Sequence, residues 1–409
     1  MKVGVFIENR PPNAGGGYTF ESEVLKSLVK FGAESQHTFV VFSWAKEQPQ
    51  EILSSPIQFI SLAHSFSDRT FSKLFQTALR IFKKLKYQKI ELWLEKSIAK
   101  NILNSRVEII WYLTPWVCPT MDIPYITVVW DLQHRLQPYF PEVSTEGNWY
   151  EREQTYEVKL RRASVILTGS KVGQAEIERF YQVPPEQIKI LPLPTPHFAL
   201  DVPSEQKQVL DTYKIPARYL FYPAQFWPHK NHVGLLLAVQ MLRDKYDLVF
   251  PVVFVGTDKG NQQYIKLIVS ELDLMAQVHF LGFVPQQDLI ALYHNAFALT
   301  FLSFFGPDNL PPLEAFALSC PVVSSNVSGA DEQLGDAALL VDPRDPEQIA
   351  KAIKSLHDDQ DLYYTLIQRG LERASRWTGQ DYFKGFLSIV NEFELIRRCW
   401  SNKEPYNQG

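Results

Sequence analysis

Residues 302–323, LSFFGPDNLPPLEAFALSCPVV, constrain this chain more than any other stretch. A mostly apolar run over 297–305 reads as a buried strand. Gly306, Pro307, Asp308 and Asn309 then make a turn. Leu310-Pro311-Pro312 opens a helix, because a proline's missing N–H has no helical partner in a first turn. This reading places Glu314 in that first turn, stops the helix at Pro321 and begins a second buried strand over 322–325. Strand, tight turn, helix and strand form one βαβ unit with an acid at its mouth. The free N–H groups and positive dipole end of such a helix suit a phosphate, and a carboxylate beside them suits a sugar hydroxyl. Acids also gather at helix starts for dipole reasons alone.

The same pattern recurs along the chain. Val3 to Ile7 is a continuous apolar run, as expected of a central parallel strand buried on both faces. Gly15, Gly16 and Gly17 follow, and then Phe20, Val24, Leu25 and Leu28 at helical spacing. Three glycines let backbone approach a ligand closely, but they lack the spacing of a dinucleotide fingerprint. Further apolar runs lie at 38–42, 107–111, 125–130, 164–168, 219–223, 252–256 and 278–284, with helices expected between them. Pro194, Pro196, Pro203 and Pro216 punctuate a polar stretch that reads as a linker. The expected fold class is α/β, with two doubly wound parallel-sheet domains.

Composition narrows the function. A chain of 409 residues has room for two or three domains, and 45% hydrophobic content supplies their cores. A net charge of −4 argues against a nucleic-acid binder, which usually carries a basic surplus. The three cysteines, Cys118, Cys320 and Cys399, form no CxxC pair, so neither a metal cluster nor a disulfide framework is expected, and a reducing, cytoplasmic compartment fits best. The opening MKVGVFIENR is a poor signal peptide, and no 18-residue apolar stretch free of charge is present. Asp358-Asp359-Gln360-Asp361 contains a formal DxD, but in a charged helical region that reads as solvent-facing.

The opening stretch resembles the donor-site motif of the GT-B glycosyltransferases, in the large retaining group called family 4. That motif, E-x7-E, lays its second glutamate on Glu314, its Leu-Pro on Leu310-Pro311 and its first glutamate on Gly306. Gln225 to Asn231 resembles the family's "G-R-x-x-x-x-K-G", with Lys230 at the lysine and Gln225 at the arginine. Asp131-Leu132-Gln133-His134, followed by Pro141-Glu142, resembles "H-D-L-Q-H … P-E", with Trp130 where the first histidine stands. Residues 278–285 resemble "V-x-F-L-G-x-V-P", a loop beside the nucleotide base. The likeness is strong over 219–342, moderate over 130–194 and loose before that.

The resemblance implies a first, acceptor-side domain over 1–196, a nucleotide-sugar domain over 197–378, and a last segment, 379–409, whose helix crosses back to the first domain. It implies a metal-independent, cofactor-free enzyme that moves a sugar, with retention, from a nucleotide diphosphate to a hydroxyl of a glycan, polysaccharide or lipid-linked acceptor. Asp131, His134 and Glu314 are the candidate catalytic residues. Gly16, Gly17, Gln225, Lys230, Phe283, Val284, Asp308, Asn309, Leu310 and Glu314 are the candidate donor ligands. Asp308 is the candidate substitute for the acid absent at Gly306. The departures at Gly306, Trp130 and Gln225 leave a second reading open, a weakened sugar-nucleotide-binding or assembly protein of the same fold. An epimerase of this fold is a minor alternative, and a dinucleotide-dependent oxidoreductase is disfavoured.

Residues 67–100 differ in kind. Arg69, Lys73, Arg80, Lys83, Lys84, Lys86 and Lys89 interleave with Phe71, Leu74, Phe75, Leu79, Ile81, Phe82 and Leu85. This is a basic amphipathic helix or helix pair. It is either an ordinary solvated face or a patch for the anionic inner surface of a membrane.

Overall fold

A computed structural model describes residues 1–63, 101–115, 123–201 and 209–400. The basic stretch at 67–100, and the membrane contact expected of it, lie outside the described residues.

Two all-parallel sheets form the frame. The first contains β1 (Lys2–Ile7), β2 (Thr38–Ser43), β3 (Gln58–Ser61), β4 (Ile109–Tyr112), β5 (Tyr125–Val128), β6 (Val165–Thr168) and β7 (Ile188–Ile190), in the order β3-β2-β1-β4-β5-β6-β7. The second contains β8 (Tyr219–Pro223), β9 (Val252–Val255), β10 (Val278–Gly282), β11 (Ala296–Phe301), β12 (Val322–Ser325) and β13 (Ala338–Val341), in the order β10-β9-β8-β11-β12-β13. Helices cover both faces, so the central strands read as unbroken apolar runs: every residue of β11 is buried. Edge strand β3 escaped the sequence reading because its short sequence, QFIS, carries no apolar run and is only partly buried.

The expected strand over 297–305 ends at Phe301, and residues 302–309 form the loop instead. The helix after it runs Leu310–Ala317 and stops short of Pro321, with Ser319 in the left-handed region at φ 58°. Asn309 is its N-cap, which makes Glu314 the fifth helical residue. The sequence reading put Glu314 in the first turn. One turn deeper, its carboxylate gains little from the helix dipole, whose effect fades within that turn.

The last helix, Gly379–Arg397, packs on the first sheet rather than the second. Tyr382, Phe383, Phe386 and Val390 are buried among Val3, Val5, Phe20 and Trp111. The rings of Trp111 and Phe386 stack 3.6 Å apart at 15°. The chain thus crosses between domains twice, and the crossings run side by side. Thr195 N–H donates to Trp377 O (3.0 Å), and the Trp377 indole donates to Pro192 O (2.9 Å).

Candidate functional site at the domain interface

In parallel sheets the loops after the strands gather at one edge, where ligands bind. Here the two such edges face each other. The loop after β1 meets the loop after β8, since Gln225 Nε2 donates to Asn13 O (3.1 Å). The loop after β5 meets the loop after β11, since Gln137 Nε2 donates to Phe304 O (2.9 Å) and the Phe140 and Phe304 rings stack at 6.0 Å. Lys171 N–H, at the start of the helix after β6, donates to both oxygens of Glu332, from the loop region after β12 (2.9 and 3.0 Å).

The second-domain wall holds two isolated ionisable groups. Lys230 sits with its ammonium 4.9 Å from the centre of the Phe301 ring. Burial pulls its pKa down to about 8, while the charges of Asp131 and Glu142 across the interface oppose the fall. It is therefore still a cation at neutral pH. Glu314 is buried on the Leu310–Ala317 helix and accepts from the Tyr293 hydroxyl (2.7 Å). Burial pushes its pKa up to about 7, against the Tyr293 hydrogen bond that lowers it. Leu310 faces the glycine loop: a Cβ on Gly16 would lie 3.7 Å from Leu310 Cδ1.

The first-domain wall is a closed network. Asp131 accepts from the Gln133 N–H (2.9 Å) and from Arg152 Nη2 (2.6 Å). Burial opposes ionisation of Asp131, but Arg152 and the Gln133 N–H outweigh it and hold the pKa below the ordinary value. His134 is fully buried beneath it, with Nε2 3.2 Å from Glu153 Oε2 and 3.1 Å from the Tyr181 hydroxyl. Arg135 pairs with the same Glu153 carboxylate. Burial first, and then the Arg152 charge, drop the His134 pKa to about 4, so the imidazole is neutral.

The structure thus brings Gly16, Gln225, Lys230, Leu310, Asp131 and the loop 306–309 to one interface. Four expected residues are used differently. His134 supports the wall from inside and is not exposed at the cleft. Asp308 is spent on the domain contact, its carboxylate accepting from Leu193 N–H (2.8 Å) and from Gln333 Nε2 (2.5 Å). Burial, then the backbone hydrogen bond that opposes it, leave its pKa raised to about 7. Val284 is packed in the core of the second domain, while Phe283 beside it is half exposed. Asn309 turns inward, its Nδ2 donating to Gly306 O (2.7 Å).

Gly306 explains its own departure from the motif. It lies at φ 138°, and a Cβ there would come within 2.5 Å of Asn309 Oδ1. A glutamate does not fit this turn as it is built. The sequence reading also missed His229, whose N–H (3.1 Å) and Nδ1 (2.5 Å) both meet Glu142 Oε1 of the first domain. Burial of Glu142 opposes its ionisation, but the His229 hydrogen bonds hold its pKa below the ordinary value. Glu142 had been quoted only as part of a resembling segment. Glu332, too, lies in a segment, 328–332, that resembles the family's wording, whereas Arg152 and Glu153 carry no signal as site residues, since pairs this far apart in sequence are invisible to spacing.

Comparison with known proteins agrees with this arrangement. Residues 206–373 match the family model "Glycosyl transferases group 1". The chain is 30% identical over 259 residues to the O-antigen chain mannosyltransferase B of Escherichia coli, covering 63% of this chain and 67% of that protein. Among solved structures, the sucrose-phosphate synthase of Thermosynechococcus elongatus superposes with a TM-score of 0.71 at 18% identity, over 98% of this chain and 100% of that one. The Anabaena HepE structure in complex with UDP and glucose superposes with a TM-score of 0.68 at 16% identity, over 97% and 100%. Two facing parallel sheets, a helix start and a lone lysine at their interface, and these matches have one common source: the chain belongs to the glycosyl transferases group 1 family and has the GT-B glycosyltransferase fold.

Proposed function

We propose that the chain transfers a sugar, with retention and without a metal, from a nucleotide-diphosphate donor to a hydroxyl of a glycan acceptor, in the manner of family 4. The observation that carries this reading is the contrast in pairing at the interface. Lys230 and Glu314 have no opposite charge bonded to them among the described residues, and they match what a nucleotide diphosphate offers: a phosphate anion and ribose hydroxyls. Lys230 and the positive dipole end of the Leu310–Ala317 helix, where Pro311 and Pro312 leave Leu310 as the N–H donor of the first three positions, hold the diphosphate. Glu314, ionised once ribose hydroxyls donate to it, fixes the nucleoside.

In the transfer step the bond between the sugar's anomeric carbon and the β-phosphate oxygen breaks, and its electron pair leaves with the diphosphate. The acceptor oxygen bonds to the same face of that carbon, and its proton passes to the departing phosphate. Lys230 and the helix start stabilise the charge that develops there. Asp131, held by Arg152, stands on the acceptor side. The relative's name, a mannosyltransferase of O-antigen chains, supports a hexosyl donor and a polysaccharide acceptor.

A thermal-shift panel of UDP, GDP, ADP and dTDP on the wild type and Glu314→Ala tests the reading. A nucleotide at a hundred times its Kd stabilises the fold by about 2.7 kcal/mol. One nucleotide should stabilise the wild type and lose its effect in the variant; stabilisation by none would sink the proposal. The weakened-site reading keeps a foothold in Gln225 and Gly306, neither of which supplies a charge. It predicts nucleotide binding with no transfer to any acceptor. No helix among the described residues is long and apolar enough to cross a membrane. We further propose that the chain acts at the cytoplasmic face of a membrane, reaching a lipid-linked acceptor through 67–100. Failure to float with anionic liposomes at low salt would count against that.

A further inference from the structure

Gln225 stands where the family carries an arginine, and its hydrogen-bonding capacity is spent within the protein. Its Nε2 donates to Asn13 O (3.1 Å) and to Thr257 Oγ1 (3.3 Å), and its Oε1 accepts from the Trp227 indole (3.0 Å). The second domain therefore offers no guanidinium at this point. The loop that Gln225 grips, however, begins with one. Arg10 lies three residues after β1, and its guanidinium is 5.5 Å from the centre of the Trp130 ring, two residues past β5. Trp130 is itself edge-on to Phe20 at 6.0 Å. The other side of the guanidinium fills the space that Gly17 leaves open: a Cβ on Gly17 would come within 2.6 Å of Arg10 Nη1. Gly16 faces Leu310 from the same loop.

The Arg10 side chain is about a quarter exposed, and among the described residues its one ion pair is with Glu8, at the Nε edge (2.7 Å). Its backbone N–H donates to Glu21 Oε2 (3.2 Å), a second carboxylate whose charge reaches it, while none of its side-chain N–H groups makes a hydrogen bond to the described residues. Glu8 thus orients the fork from one side, and Trp130 and Gly17 hold its plane. Of the two terminal nitrogens, Nη1 lies against Gly17, and neither is hydrogen-bonded among the described residues. A planar fork held this way recognises a phosphate oxygen pair.

We propose that Arg10 is a phosphate-binding residue of the cleft, supplying from the first domain the charge that Gln225 does not supply from the second. Gln225 draws the loop of Asn13 and the three glycines across, so the fork reaches the diphosphate only when the domains are together. This inference rests on the nucleotide-sugar reading above. Lysine 259, exposed beside Trp227 with its ammonium 5.5 Å from that ring, is the competing cation.

The test is the ratio of Kd values for nucleoside monophosphate and diphosphate, measured by calorimetry with the nucleotide that stabilises the wild type. Arg10→Met keeps the packing on Trp130 and removes the charge; Arg10→Lys keeps the charge. The ratio should fall about tenfold in R10M, stay largely intact in R10K and be unchanged in Lys259→Met. A wild-type ratio in R10M, an R10K loss as deep as that of R10M, or a loss that follows Lys259 instead would overturn the assignment. An unchanged ratio with a raised KM for a phosphorylated acceptor would place the anion on the acceptor and overturn the donor contact. If the wild type binds neither nucleotide, it is the nucleotide-sugar reading that fails, which the R10M data alone would not show.

Discussion

The two walls of the interface use charge in opposite ways. On the first domain, Asp131 is paired with Arg152, and Glu153 serves Arg135, His134 and Tyr181 together. On the second, among the described residues, Lys230 has a ring beneath it and no bonded anion, and Glu314 has one phenol. A buried charge without a partner costs stability, so such a group persists where something else repays the cost. Under the proposed function, the difference separates the residues that shape the site from the residues that would meet the donor. It also separates two kinds of mutational outcome, in binding and catalysis on one wall and in folding on the other.

The largest effect should come from Lys230→Met. Removing a preorganised cation from the developing diphosphate lowers kcat by about 100- to 1000-fold, with the melting temperature unchanged or raised. Steady-state kinetics beside a thermal melt would show it, and a melt that collapses along with activity would erase the contrast. Glu153→Ala should do the reverse. It strands Arg135 and the buried His134, and costs about 3 kcal/mol in denaturant unfolding. Nucleotide affinity of the molecules still folded should match the wild type. Gly306→Glu restores the motif on paper, yet the positive φ and the clash with Asn309 should cost about 2 kcal/mol without raising activity.

The smallest effect is a pH dependence. Burial raises the Glu314 pKa to about 7. Between the ordinary carboxylate value and 7, the folded state holds a proton that the unfolded state has released, so stability falls as pH rises through that window. Glu314→Gln should remove part of that fall, leaving the share that comes from Asp308 and Glu176, whose pKa values are also raised to about 7. Lys230 gives binding a slope of the same sign at higher pH: diphosphate affinity should hold below about pH 8 and drop above it as the ammonium loses its proton. Unfolding and titration series at several pH values check both.

The fold was largely legible because parallel strands buried on both faces leave continuous apolar runs, as in Val3 to Ile7 and in β11. The second-domain wall was legible too, because Lys230, Leu310 and Glu314 sit close to strand ends within resembling segments. The first-domain wall was not. His134 matched a motif letter, but only packing shows it sealed under Glu153 and Tyr181. Asp308 appeared free to face a sugar, and only the approach of Leu193, 115 residues away, reveals its role. Arg10 carried no signal whatever, since a lone arginine after a strand is ordinary until Trp130 and Gly17 are seen around it.

The return of the Gly379–Arg397 helix to the first sheet bears on how the molecule is made. A nascent chain emerges from its amino end, so the strands of the first sheet are available long before the helix that covers one of their faces. Until Tyr382, Phe383 and Phe386 emerge, Trp111 and Phe39 have no lid. The whole second domain is synthesised during that wait. The first domain is therefore the first to begin folding and the last to finish, and a ribosome stalled within the last helix would hold a complete second domain beside an open first one. Chaperone demand should peak in that interval, set by the order of translation rather than by the final stability of either half.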